Sequence, residues 1–162
     1  MATYIGEFDC KIDSKGRMMI PAGLFKQFPT NMREKFVINR SVFQKCLILY
    51  PMDCWGEIMK DLGKLNRFQK KTDDFIRQYL NGATEVELDS SNRLLIPKKL
   101  SEYATIDKDI VLSSSLDKIE IWSSALHNDI LNNYNHDDFA KLAEEVMGKI
   151  NNNDADGKDN VS

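Results

Sequence analysis

Polar and apolar residues alternate over 7–12, with Phe8, Cys10 and Ile12 set between Glu7, Asp9 and Lys11. The alternation returns at 85–89, where Val86 and Leu88 sit among Glu85, Glu87 and Asp89. Period two with one polar face predicts half-buried antiparallel strands. Each segment leads into one of two near-copies, Asp13-Ser14-Lys15-Gly16-Arg17-Met18-Met19-Ile20-Pro21 and Asp89-Ser90-Ser91-Asn92-Arg93-Leu94-Leu95-Ile96-Pro97. Met18–Ile20 and Leu94–Ile96 predict short strands that stop at the prolines. Proline cannot donate to a ladder but suits a helix's first turn, so short helices follow over Ala22–Phe28 and Lys98–Tyr103.

Two more strands are expected in each half, Phe36–Asn39 with Leu47–Tyr50 and Ile110–Ser113 with Ile119–Trp122. The first pair has the longer connecting loop. Both halves then turn helical. Trp55, Ile58, Met59 and Leu62 fall at helical spacing, and Phe68, Phe75, Ile76, Tyr79 and Leu80 continue that period in a second helix. Phe139, Leu142, Ala143, Val146, Met147 and Ile150 repeat the design, and Phe68-x-Lys70-x-x-Asp73-Asp74 is echoed by Phe139-x-Lys141-x-x-Glu144-Glu145. One unit has been duplicated. The turn pair Asn81-Gly82 marks the boundary, giving repeats over 1–80 and 81–150. Residues 151–162, rich in Asn and Asp, are expected to form a disordered acidic tail.

The turn chemistry is the same in both copies. Gly16 supplies a left-handed position at a tight hairpin, and Asn92, the next most tolerant residue, stands in the equivalent place. Asp13 and Asp89 can accept bonds from the turn's own amides and hold an arginine in one rotamer. Arg17 and Arg93 then emerge at rigid tips, where a guanidinium can meet a phosphate or a guanine edge bidentately. A hairpin with an internal Asp–Arg pair and no ligand is the plainer alternative.

Composition narrows the classes. At 162 residues and 42% hydrophobic, the chain can bury a core of two small packed units. No apolar run suits a membrane span, and Met-Ala-Thr-Tyr-Ile-Gly-Glu lacks the pattern of a signal peptide. Cys10, Cys46 and Cys54 favour reduced thiols in a cytosol, and His127 and His136 match no metal-ligand spacing. The net charge of −3 conceals an asymmetry: residues 1–80 hold 14 Lys+Arg against 9 Asp+Glu, and the rest 8 against 16. Local field matters more than the total, so a nucleic-acid partner stays open. No nucleophile elbow, phosphate-cradling loop, zinc-protease motif or Cys/His pairing is present, so an enzyme is not expected. Neither a catalytic site, a cofactor, a metal nor a small-molecule substrate is implied.

The repeated D-S-K-G-R-h-x-I-P and its following helix resemble the SpoVT/AbrB loop-hinge module. Two such modules in a chain of this length resemble the MraZ family of bacterial transcription regulators. The resemblance spans about residues 1–150. It implies an α+β fold: a double-split, AbrB-like swapped-hairpin β-barrel built from two tandem repeats, each followed by a helix pair. The module cores would be about 7–54 and 83–126. It also implies a homo-oligomeric ring, in the cytoplasm and on the nucleoid. That ring would bind short G-rich direct repeats in double-stranded promoter DNA and usually repress its own division and cell-wall operon. Carried onto this sequence, the DNA-binding residues are Asp13, Lys15, Gly16 and Arg17, with Asp89 and Arg93 in the second copy. Ser91 and Asn92 depart from the pattern, which makes the first loop the primary reader. The module is also similar to that of antitoxins such as MazE, so an antitoxin-like or scaffold interaction module is the alternative.

Overall fold

The computed structural model describes residues 1–158, and side-chain surroundings through Lys149. Its strands are β1 (Glu7–Lys11), β2 (Arg17–Met19), β3 (Lys35–Arg40), β4 (Leu47–Pro51), β5 (Thr84–Glu87), β6 (Arg93–Leu95), β7 (Asp109–Ser115) and β8 (Lys118–Ser123). The helices are α1 (Ala22–Phe25), α2 (Met52–Gly63), α3 (Lys70–Leu80), α4 (Lys98–Tyr103), α5 (Ser124–Leu131) and α6 (His136–Lys158). The fold is α+β, and every strand pair is antiparallel. α1 is shorter than expected: the chain tightens after Lys26, with the Gln27 amide donating to Leu24 (2.9 Å) and Phe28 to Phe25 (3.2 Å), and Pro29 disfavours a helical Phe28. Phe68 precedes α3, held in a turn by the Asn66 side chain (3.1 Å).

The halves do not fold side by side. Six strands pair in the open order β1-β7-β8-β4-β3-β5, and β2 pairs with β6 as a separate ribbon. The first strand of each half thus lies on the third strand of the other: Cys10 faces Ile110, and Val86 faces Phe36. At the centre, Ile48 faces its equivalent Glu120, and Met18 faces its equivalent Leu94. These registers define a local twofold relating the repeats. It makes Met1–Ser124 one compact unit, so the repeat boundary near Asn81 is not a boundary between bodies.

Inside this unit, Phe28 makes ring contacts with Tyr4 and Phe36 (both 5.0 Å between centroids), beside buried Ile38, Leu47, Leu112 and Ile119. Asn39 is fully buried and satisfied, donating to the Tyr79 carbonyl (2.8 Å) and accepting from the Arg40 amide (2.8 Å). The first of these bonds ties α3 to the sheet.

The second compact unit begins at Ala125 and consists of α5 and α6. Asn135 caps α6 by accepting from the Asp138 amide (2.8 Å), with Asp137 and Asp138 in the first turn. The helix continues past Ile150, into the stretch expected to be a disordered tail. No proline interrupts it, and the next glycine is Gly157. Residues 159–162 of that expected tail lie outside the described residues. Replacing Phe28 with Ala should cost about 3–5 kcal/mol of stability, because a core ring with two aromatic partners leaves a cavity. Urea unfolding should show the lower midpoint with an unchanged slope.

Candidate nucleic-acid interface

Each Asp-to-Arg segment forms a three-residue hairpin loop. In the first, the Asp13 amide donates to the Arg17 carbonyl and the Gly16 amide to the Asp13 carbonyl (both 3.0 Å). Gly16 takes φ +83°, the left-handed residue such a loop requires. The second repeats this with Asp89 to Arg93 (2.8 Å), Asn92 to Asp89 (3.0 Å) and Asn92 at φ 58°. A Cβ on Gly16 would meet only ordinary neighbours, the nearest being Leu95 Cδ1 at 3.5 Å. Glycine is needed there for its backbone, not for space.

The aspartates clasp these loops shut. Asp13 Oδ1 accepts from the amides of Lys15 and Arg17 (both 2.9 Å), while Oδ2 accepts from Arg17 Nε (2.8 Å). Asp89 makes the same three bonds with Ser91, Arg93 and Arg93 Nε (2.9, 3.0 and 3.0 Å). The backbone bond from Arg17 leads the causes that hold the Asp13 carboxyl below its ordinary range, helped by the Arg17 side chain and the Lys15 amide. Asp89 is lowered likewise, first by the Arg93 backbone. Each guanidinium is held by Nε alone, and among the described residues its two terminal nitrogens have no protein acceptor.

Pairing β2 with β6 places both arginines on one face. Arg17 stands opposite Leu95 and Arg93 opposite Met19. Met18 and Leu94 point the other way, 0% and 1% exposed, and anchor the ribbon in the core. The outer face is a square of two cations and two apolar side chains.

The strand exchange also brings in residues that sequence reasoning did not join to the loops. The Ile96 amide donates to the Gly16 carbonyl (2.9 Å), setting Pro97 and α4 beside the first loop. An open cleft of about 580 Å³ there is lined by Lys15, Gly16, Leu95, Lys98 and Ser101 among others. By the same rule the Ile20 amide donates to Asn92 (2.9 Å), but Ala22 stands where Lys98 stands in the other copy. The arginine near that end, Arg33, is occupied by the carbonyls of Phe28 and Lys26 and by the Phe25 ring. The first loop therefore sits among Lys15, Arg17 and Lys98, whereas the second offers Arg93.

The other singled-out residues fall elsewhere. The cations Lys64, Arg67, Lys70, Lys71 and Arg77 are spread over two helices and their connection: Lys64 caps α2, Arg67 lies between, and Lys70, Lys71 and Arg77 belong to α3. Lys70 pairs with Asp74 (2.8 Å) and Arg77 with Asp73 and Asp74. Trp122 is buried, Trp55 packs on Tyr50 (5.2 Å), and Phe68 and Phe75 are exposed. Burial pushes the thiols up, Cys10 to about 11 and Cys46 and Cys54 to about 12, so they stay protonated at neutral pH. Among the described residues no three metal-ligating side chains converge, and no helix is long and apolar enough to cross a membrane.

A family model described as "MraZ protein, putative antitoxin-like" matches twice, over residues 3–78 and 79–150. The chain belongs to the MraZ family. Among its relatives is the "Transcriptional regulator MraZ" of Flavobacterium psychrophilum, 50% identical over 93% of this chain and 96% of that protein. The protein of the same name from Christiangramia forsetii is 50% identical over 97% and 99%, and that of Desulfitobacterium hafniense 37% over 89% and 96%. The MraZ matches thus divide where the duplicated hairpins divide, one hairpin to each.

Asp13→Asn keeps an oxygen for the loop amides but removes the charge that holds Arg17. NMR should show the Arg17 Nε–H protected in the wild type and rapidly exchanging in the variant, with unchanged circular dichroism. In the wild type the carboxyl pKa is lowered, so the clasp's contribution is complete above the ordinary aspartate value of about 3.9. It is lost as pH falls through the lower folded-state value. Protection that persists in Asp13→Asn would show that the carboxylate does not hold the arginine.

Proposed function

We propose that this protein is a sequence-specific DNA-binding transcriptional regulator that reads promoter repeats as a ring oligomer. The observation that carries the proposal is the duplicated clasp: two arginines, each fixed by its own aspartate, at opposite ends of one ribbon. A two-stranded ribbon fits the major groove, and a guanidinium with both terminal nitrogens open matches guanine O6 and N7. In this reading Arg17 is the primary reader and Lys15 a phosphate contact, while Asp13 and Gly16 shape the tip. Arg93 and Asp89 form the supporting tip, and Lys98 joins the first loop as a further cation. The exchanged first strands support the double-split barrel that the resemblance implies, with repeats 1–80 and 81–150. The target would be short G-rich direct repeats upstream of the protein's own operon, with repression the expected outcome.

Electrostatics demands assembly. One protomer neutralising about 2–3 phosphates has a salt slope of roughly −2 to −3, and one Arg–guanine pair adds about 1–3 kcal/mol of discrimination. Several protomers engaging successive repeats multiply these terms through effective concentration. Exposed Phe43, Phe68 and Phe75 on the first unit, and Phe139, Val146 and Met147 on α6, are the apolar surfaces that neighbouring copies would cover. Contacts between unlike faces close into a ring when the rotation from copy to copy returns to its start.

Gel shifts with DNA from upstream of its own gene test the reading. Arg17→Ala should abolish binding with oligomeric state unchanged, Arg93→Ala should weaken it less, and intact affinity in Arg17→Ala would refute the assignment. The salt slope of the wild type should be far steeper than −3, and Lys98→Ala should make it shallower. A stable monomer in sedimentation, alone and with promoter DNA, would remove the ring. Capture of a stoichiometric small protein in place of DNA would favour the antitoxin-like reading.

A further inference from the structure

On the outer face of the ribbon, Met19 and Leu95 are each 57% exposed. The local twofold pairs them as equivalents, so the exposure is a property of the repeated unit and not an accident of one loop. Each lies directly opposite an arginine contributed by the other half, Leu95 opposite Arg17 and Met19 opposite Arg93. Leu95 also reaches the first loop itself, where its Cδ1 would lie 3.5 Å from a Cβ on Gly16. Each tip is therefore composite: a cation from one repeat, and a large apolar side chain from the other.

We propose that Leu95 and Met19 read bases by packing on thymine 5-methyl groups beside the guanines met by Arg17 and Arg93. This rests on the DNA-binding reading above and adds a second base type to it. The thymine methyl projects into the major groove, the same groove that presents guanine O6 and N7, and apolar side chains are its natural contact. Side chains directly opposite on an antiparallel pair have Cβ atoms about 4.5–5.5 Å apart. Successive base pairs are about 3.4 Å apart. A residue opposite the arginine therefore falls on the same or the neighbouring base pair. A protein partner fits this face poorly. Two apolar side chains flanked by cations offer far less than the roughly 1,000 Å² a stable interface needs.

The test measures binding of the full-length protein to a fluorescent duplex from upstream of its own gene. The duplex is made once with thymine and once with deoxyuridine throughout, which removes only the 5-methyl groups. The wild type should bind the deoxyuridine duplex more weakly, by about fourfold for each methyl contact, the equivalent of one buried methylene. Leu95→Ala should bind the thymine duplex more weakly than the wild type and discriminate less between the two duplexes. Leu95→Ala with Met19→Ala should reduce the discrimination to whatever duplex shape alone contributes. Any effect of deoxyuridine on duplex shape would persist in the variants, so it separates from the contact. Equal wild-type binding to both duplexes would overturn the proposal and leave the DNA reading standing. So would full methyl preference in the double variant, or a variant that changes oligomeric state while binding both duplexes as the wild type does. Absence of binding to either duplex by the wild type would sink both readings together.

Discussion

Met18 and Leu94 stand opposite each other in the middle of a three-residue ribbon, and burying that pair organises its whole outer face. A strand alternates its faces, so sinking the central residue turns both neighbours outward. Arg17 and Met19, and Arg93 and Leu95, share the outward face because the residues between them are buried; Met19 and Leu95 are exposed and the two arginines half-buried. A slip of one residue would bury the arginines and expose the anchors, a strong penalty against any other register. The separate six-stranded sheet obeys the same symmetry, since Ile48 and Glu120 meet on the local twofold.

The clasp adds stiffness to that placement. A free arginine loses close to the largest rotamer entropy of any side chain when it is ordered. Here Nε is already engaged by a carboxylate that the loop amides orient, so part of that ordering is complete before any ligand arrives. The aspartate acts through the arginine and not on the partner. Its exposed position limits what the ion pair gives to stability, and its effect lies in geometry.

Much of this was legible in the sequence, for local reasons. The alternation around Phe8 and Val86 announces strands because one face is polar, and Asp, Gly or Asn, and Arg at fixed spacing announce the hairpins. Which strand pairs with which was not legible from pattern, because β1 would satisfy its alternation on any apolar neighbour. The exchange is decided by long-range packing, and it alone puts Lys98 and Leu95 beside the first loop. The helical backbone beyond Ile150 was hidden by Asn and Asp, whose low helix propensity is a weak prior.

The difference between the two tips bears on the form of the target. A reader with true twofold symmetry would match a palindrome. Here the twofold is only local: one end carries Lys15 and Lys98, and the other carries Ser91 and Ala22 in the equivalent places. On the proposed reading the protomer therefore has a strong end and a weak end, and it lies on DNA in one direction. Copies related by the rotation of a ring all present that direction in the same sense. On that same reading the repeats they meet would run in one orientation, and the unequal charge of two otherwise matching loops would favour direct repeats over a palindrome.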